Sequence, residues 1–252
     1  MNGIMEPVKL TYYRNPSLDP EQNLQLEEDL FSRYREGDFL MIWQNGPSVI
    51  IGRNQNAEEE VNLSYAKSMG IRIVKRSTGG GAVYHDPGNV NFSFFTDLPS
   101  EGMYSLRKLA APIADAIGSM GVPVHFSGRN DLLTEDGRKI CGTAARLSGG
   151  RILFHGCICY DIDQEVMERV LTPGDDKLLR HGIRSVRSRT ARLRDYFPQM
   201  DTAAFIDRLE EELLSAAGNL SITPYGKVVK KLTILHSSAA PDKQGVPGKK
   251  HV

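Results

Sequence analysis

The spacing of apolar side chains changes several times along the chain, and each change marks an element. Behind an Asp19-Pro20 pair, Leu26, Leu30 and Tyr34 recur at four-residue intervals, with Gln22 three positions after Asp19. An N-cap aspartate, a proline at the first helical position and a glutamine placed for a capping box predict a helix over 20–35. Two short apolar runs follow, "FLMIW" at 39–43 and "SVIIG" at 48–52, and the intervening Asn45, Gly46 and Pro47 predict a β-hairpin. A helix is expected from Glu58 to Met69, ending before Gly70. "IRIVKR" at 71–76 and "NVNFSFF" at 89–95 are rich in β-branched and aromatic residues and read as strands, with "AVYH" at 82–85 as a third between them.

Leu106, Leu109, Ile113, Ile117 and Met120 return to helical spacing over 103–120, where Pro112 is expected to kink or restart the helix. Short strands are expected at 123–126, 131–134, 138–145 and 151–161. Helices should follow at Asp163–Leu171 and Thr202–Ala217, the second with a threonine cap and with Phe205, Leu209 and Leu213 on one face. No internal repeat is present, and the small, polar stretch 237–252 reads as a disordered tail.

Composition narrows the function classes. A chain of 252 residues with 40% apolar side chains can bury an ordinary core. Its 31 basic and 31 acidic residues cancel, which removes any global pull toward nucleic acid or an anionic membrane. The arginine-rich stretch 180–194 is the marked charge cluster; it lacks interleaved aromatics and suits an acidic partner or an internal carboxylate network at least as well as nucleic acid. Three cysteines, Cys141, Cys157 and Cys159, form no CxxC pair, and an odd count argues against a secreted disulfide framework. The N-terminus has no apolar signal core and no apolar run approaches the roughly 20 residues that span a bilayer, so a cytoplasmic location is expected.

Candidate chemistry concentrates in "KRSTGGGAVYHDPGNVNFSFF", residues 75–95. Gly79, Gly80 and Gly81 permit close backbone approach to a ligand, Arg76 adds a planar cation, and His85 and Asn89 add donors. The run matches neither a P-loop nor the glycine spacing of a Rossmann fingerprint, so by composition alone it is a plain turn or a different kind of phosphate cradle. Lys139 in "DGRKICGTAAR" reads as a lysine turned toward an anion or as a solvated strand lysine, and His155 in "LFHGCICYD" as structural or catalytic. Cys157 and Cys159 share a strand face and suit burial better than redox or metal chemistry. His85, Asp86 and His155 lack close metal-ligand spacing.

In its order of motifs the chain resembles the lipoate-protein ligases. The resemblance rests on "KRSTGGGAVYHDPGNVNFSF", on "GRNDLLTEDGRKICGTAAR", and on "FHGCICYDID", "GIRSVRSRTARL" and "IGRNQN", and extends over roughly residues 8 to 217. It implies the biotin/lipoate-protein ligase catalytic fold, a mixed α/β (α+β) domain with a central mixed sheet flanked by helices, occupying residues 1–236. It also implies two half-reactions: ATP activates lipoate or octanoate as an acyl-AMP, and a lysine of an apo lipoyl domain then takes the acyl group.

Carried over by position, Arg76, Gly79, Gly80 and the backbone of Gly81, Ala82, Val83 and Tyr84 would lie at the nucleotide. Lys139 would bridge the acyl carboxylate and the α-phosphate. His85, Asn89 and His155 would complete the pocket, and Val83 and Phe92 would flank the acyl tail. Mg²⁺ would bridge ATP phosphate oxygens without a dedicated set of protein ligands. The implied acceptors are 2-oxoacid dehydrogenase E2 subunits or the glycine cleavage H protein. Family members add a smaller C-terminal domain, expected here to be absent and supplied by a separate accessory subunit. Two other readings share the fold: an octanoyl or lipoyl acyltransferase working through a cysteine thioester, and a non-catalytic lipoyl-AMP binding subunit.

Overall fold

The computed structural model describes residues 10–99, 104–127, 130–172, 190–219 and 233–234. The expected tail at 237–252 and most of the arginine-rich stretch lie outside the described residues. The first half comprises β1 (Leu10–Arg14), α1 (Pro20–Arg33), β2 (Asp38–Trp43), β3 (Ser48–Ile51), α2 (Ala57–Glu60), α3 (Leu63–Ser68), β4 (Arg72–Lys75), β5 (Val83–His85) and β6 (Asn89–Asp97). The second comprises α4 (Leu106–Ser119), β7 (Val124–Ser127), β8 (Asp131–Thr134), β9 (Lys139–Ser148), β10 (Arg151–Cys159), α5 (Gln164–Val170), a 3-10 turn (Leu193–Tyr196), α6 (Thr202–Asn219) and β11 (Thr233–Ile234).

The strands form two sheets, one of eight strands in the order β11-β1-β2-β6-β10-β9-β8-β7 and one of three in the order β4-β3-β5. β1 runs parallel to β11 and β2, and the other pairs of the large sheet are antiparallel. Alternation along the central strand β6 explains the layering. Val90, Phe92 and Phe94 project from one face into a core built with α4 and α6. Asn89, Asn91, Ser93 and Phe95 project from the other, toward α1 and the small sheet. A further cluster, including Val49, Ile71, Tyr84, Ile162 and Met167, joins the small sheet to α3 and α5. Side chains such as Phe92, Phe154 and Phe205, all at 0% exposure, each contribute about 1.5–3 kcal/mol by burial.

Three expectations are corrected, and for Pro112 the restart is ruled out. The runs 39–43 and 48–52 do not form a hairpin: β2 pairs with β1 and β6, while β3 is the centre of the small sheet. Buried Asn45 and the bond from Gly46 N–H to Leu18 O (2.7 Å) carry the chain from one sheet to the other instead of turning it back. The helix over 58–69 is broken at Val61, which bridges to Leu171, and Asn62 restarts it by capping Tyr65 N–H. Pro112 lies inside a single helix, its buried stripe Ala110, Ile113, Ala116 and Ile117 running on either side of it. Asp201, not Thr202, caps α6, accepting from Ala204 N–H at 2.8 Å.

Helix α1 starts as expected, with Asp19 accepting from the N–H groups of Glu21 and Gln22. Its buried stripe, however, is Pro20, Asn23, Leu24, Glu27 and Phe31, and Leu26, Leu30 and Tyr34 lie partly buried on the flank. Two polar residues, Asn23 and Glu27, occupy the most buried face and are hydrogen-bonded there, and one of them reaches the site described next.

Candidate active site

The glycine run connects β4 to β5 and lies against the end of β3. Of its three glycines only Gly80 has a positive φ, 97°. Gly52 makes room for it: a Cβ on Gly52 would stand 2.3 Å from Gly80 O. Arg53 N–H donates to Thr78 O at 2.8 Å, so the "IGRNQN" segment braces the loop. Around Gly79 and Gly81 the space a Cβ would take is open.

Arg76 lines the cavity described below and is hydrogen-bonded to its own loop. Its guanidinium is 7% exposed and turns back on the loop: Nε donates to Thr78 Oγ1 (3.0 Å), Nη1 to Ile50 O (3.0 Å), and Nη2 to both Gly79 O and Gly81 O (2.8 Å each). Burial pulls its pKa down to about 10. Arg76 is therefore the clamp that shapes the glycine loop, and its donors are largely spent on that task.

The clamp continues inward. Thr78 Oγ1 meets His155 Nε2 at 2.8 Å, and His155 Nδ1 meets Glu27 Oε1 of α1 at 2.9 Å. The same Glu27 oxygen accepts from Ser93 Oγ (2.5 Å), whose oxygen accepts from Trp43 Nε1 (2.9 Å). Glu27 and Ser93 are essentially fully buried and His155 is 7% exposed. No side chain in this chain of contacts has a buried polar atom without a partner, so the network fixes geometry where a half-satisfied one would destabilise the fold.

On the opposite side, the β8–β9 hairpin presents Lys139. Its ammonium forms a 2.9 Å ion pair with Asp131 Oδ1 and lies over Gly142, where a Cβ would come within 2.9 Å of Nζ. Both partners are about one-third exposed, which leaves the ammonium accessible to a ligand. Between the hairpin and the glycine loop is a cavity of about 120 Å³. Leu24, Trp43, Ile50 and Val83 contribute apolar surface to its lining, and Arg76, His85, Asn91, Asn130, Lys139 and His155 are among its polar residues.

The structure thus brings together Arg76, Gly80, Gly81, Ala82, Val83, His85, Lys139 and His155, and leaves Gly79, Tyr84 and Asn89 outside the lining. Tyr84 turns its ring into the cluster under α5. Asn89 is buried beneath the floor, donating to Cys157 Sγ at 3.0 Å. Phe92 does not flank the cavity: it pairs with Gly156 and points to the face packed by α4 and α6. His85 accepts from Asn45 Nδ2 at its Nδ1 (3.0 Å), and burial, with Arg76 and His155 nearby, pushes its pKa down to about 3. Sequence reasoning missed Glu27, Trp43, Asn91, Asp131 and Gly142. The alternation "NVNFSF", polar on every second position of a strand in the middle of a sheet, was the available signal for Asn91.

Cys141 and Cys157 are poor nucleophiles, whereas the hydrogen bond that Cys159 shares with Cys157 lowers the Cys159 thiol. Burial pushes the Cys141 thiol far up, and Cys157 is raised by its hydrogen bond to Cys159 together with burial. A wider groove of about 690 Å³ lies elsewhere, lined by Asp86, Asp161, Asp163 and Glu165 among others. Its carboxylates would repel an anionic ligand.

Comparisons with known proteins agree on one family. The Lipoyl protein ligase A/B catalytic domain matches residues 19–214. Lipoate-protein ligase LplJ of Bacillus subtilis is 36% identical over 220 residues, covering 86% of this chain and 66% of that protein. The chain spans 56 to 66% of the length of the curated relatives it matches first. Among solved structures, a bipartite lipoate protein ligase from Thermoplasma acidophilum, described with its E2 lipoyl domain, has a TM-score of 0.72 at 26% identity, covering 92% of this chain and 89% of that one. A lipoate-protein ligase A bound with ATP has a TM-score of 0.70 at 25% identity, covering 92% and 90%.

Proposed function

Because the chain belongs to the lipoyl protein ligase A/B catalytic-domain family, we propose that it activates lipoate or octanoate with ATP and passes the acyl group to a lysine of an apo lipoyl domain. The observation that carries this reading is the Lys139 ammonium, held by Asp131 over Gly142 in a cavity that Leu24, Trp43, Ile50 and Val83 also line. A fatty carboxylate, an anion joined to an apolar chain, suits that combination. The relatives named above as lipoate-protein ligases, and the solved ligase bound with ATP, support the same substrates.

In the first step a carboxylate oxygen attacks the α-phosphorus of ATP, forming an acyl-phosphate anhydride and releasing pyrophosphate. Two anions must be held together as charge builds on phosphorus. A fixed ammonium between them and the backbone N–H groups of the glycine loop favour that arrangement. In the second step the acceptor lysine, as the free amine, attacks the acyl carbonyl; the amide forms and AMP leaves. No cysteine is needed, in keeping with the raised thiols of Cys141 and Cys157.

The cavity is small against typical ligand pockets of roughly 300–1,000 Å³, so it suits the acyl part, with the nucleotide lying across the open space at Gly79 and Gly81. Mg²⁺ fits this arrangement as an ion carried by the phosphates. Among the described residues no group of three or more His, Cys, Asp or Glu side chains could cage a metal, and Asp131 is the carboxylate beside Lys139. Bound there, Mg²⁺ would neutralise phosphate charge. E2 subunits and the H protein remain the proposed acceptors, and a separate accessory subunit the proposed helper of adenylation. A cytoplasmic location is proposed too; among the described residues no helix is long and apolar enough to cross a membrane.

The test incubates the purified chain with an apo lipoyl domain and either lipoate plus Mg-ATP or preformed lipoyl-AMP, and reads the acceptor by intact mass. Gain of one lipoyl group from the adenylate is expected, and Lys139→Leu should lower that rate about 10²–10³-fold, the cost of removing one transition-state donor. An unmodified acceptor in both arms, with and without a companion subunit, would refute the proposal.

A further inference from the structure

Nearly every buried polar group facing the cavity is spent within the protein. Arg76 is committed to the glycine loop, His155 to Glu27 and Thr78, the Cys157 sulfur to Asn89, and the Trp43 N–H to Ser93. Two groups are not. Asn91 is 1% exposed, and neither its Nδ2 nor its Oδ1 has a partner among the described residues. His85 is 4% exposed and its Nε2 is likewise unpaired.

The hydrogen bonds around His85 fix what that nitrogen offers. Asn45 Oδ1 accepts from Asn23 Nδ2 at 2.9 Å, so the other end of the Asn45 amide, Nδ2, faces His85 Nδ1 and donates to it. The imidazole proton then resides on Nε2, an unpaired donor of a residue that lines the cavity. Asn91, another lining residue, adds an unpaired N–H donor. Leaving such donors unpaired in a fold is costly, a penalty that a ligand able to accept would remove.

Strand register locates them along the ligand. Trp43 pairs with Asn91, Asn91 with Cys157, and Cys157 with Gly142, a single row across β2, β6, β10 and β9. The Lys139 ammonium lies over Gly142 at one end of the row, and Trp43, which also lines the cavity, is at the other. Asn91 is two strands from Gly142, about 10 Å at the usual interstrand spacing. A carboxylate held at Lys139 therefore brings the far part of a medium-length acyl chain, not its head, to Asn91 and His85.

Building on the ligase reading, we propose that Asn91 and His85 are specificity-determining residues that select an acyl chain with hydrogen-bond-accepting atoms, such as the sulfurs of a dithiolane ring, at its distal end over a plain hydrocarbon tail. The ligand class favoured is lipoate over octanoate, with discrimination arising from the cost of leaving the two donors unpaired against methylenes.

The test compares lipoate with 5-cyclopentylpentanoate, the same ring and chain with both sulfurs replaced by methylene groups, by calorimetric titration of the wild-type protein. Lipoate should bind about tenfold more tightly, equivalent to about 1.4 kcal/mol. Asn91→Leu, which keeps the volume and removes the amide, should bring the two affinities together by strengthening binding of the carbocycle. Equal affinities in the wild type would overturn the inference whether or not the variant folds, as would an unchanged ratio in a folded Asn91→Leu. If neither acid bound, the ligase reading beneath it would be overturned, a result distinct from binding without discrimination.

Discussion

Gly142→Ala separates the chemistry of the site from the stability of the fold. An alanine Cβ at 142 would stand 2.9 Å from Lys139 Nζ and 3.1 Å from Lys139 Cε. Ordinary contacts of this kind are about 3.5–4.0 Å, so the ammonium must retreat by roughly an ångström. The obstacle is the end of a flexible side chain, and Gly142 is not among the glycines with positive φ, so the backbone accepts the change. Lower chain entropy in the unfolded state should stabilise the variant by about 0.4–1 kcal/mol. Misplacing the ammonium by that distance should slow acyl transfer about 10²-fold. Single-turnover transfer from preformed lipoyl-AMP and a urea melt measure the two quantities separately. Transfer within a few-fold of wild type would refute the placement of Lys139 at the reacting atoms, and a large loss of stability would refute the reasoning about the strand.

Thr78→Val removes the link between Arg76 Nε and His155 Nε2 and should cost about 1–3 kcal/mol in a denaturant titration, with Thr78→Ser near wild type; equal stability of all three would remove the relay from the account. Replacing Cys141, Cys157 and Cys159 with alanine should leave transfer within a few-fold, and a trapped acyl-cysteine on the wild-type chain would defeat that expectation. His85 has a folded pKa near 3 against an ordinary value of 6.5, so the unfolded chain takes up a proton that the folded one refuses. Stability is then fully present above about pH 6.5 and is lost as pH falls toward 3. The raised carboxyls of Asp38 and Glu210 act with the opposite sign in more acidic solution. The melting temperature should fall between pH 7 and 5 in the wild type and less in His85→Gln; parallel curves would contradict the assignment.

Period and turn chemistry made most elements legible in the sequence, because strands such as β6 and helices such as α6 carry their apolar face openly. The errors share a physical cause. Buried polar residues break the patterns that sequence reading relies on: Asn23 and Glu27 hide the true buried face of α1, and Asn45 turns an apparent hairpin loop into a crossing between sheets. The glycine loop and Lys139 stood out through residue type and motif order. The inward turn of Arg76 did not, since nothing local says whether a guanidinium will bind a ligand or the carbonyls of its own loop. Phe92 was misplaced for a simpler reason, as its parity along β6 puts it opposite Asn91.

The most direct test of the site is a crystal structure with a non-hydrolysable lipoyl-adenylate, its phosphate replaced by a sulfamoyl group. The account predicts the Lys139 ammonium within hydrogen-bond distance of both the acyl carbonyl and the sulfamoyl oxygens. The adenosine should lie across Gly79 to Val83, and the dithiolane ring should reach Asn91 and His85 before Trp43. An adenylate bound instead in the Asp86–Asp163 groove, or bound here with Lys139 turned away from the anhydride position, would contradict it.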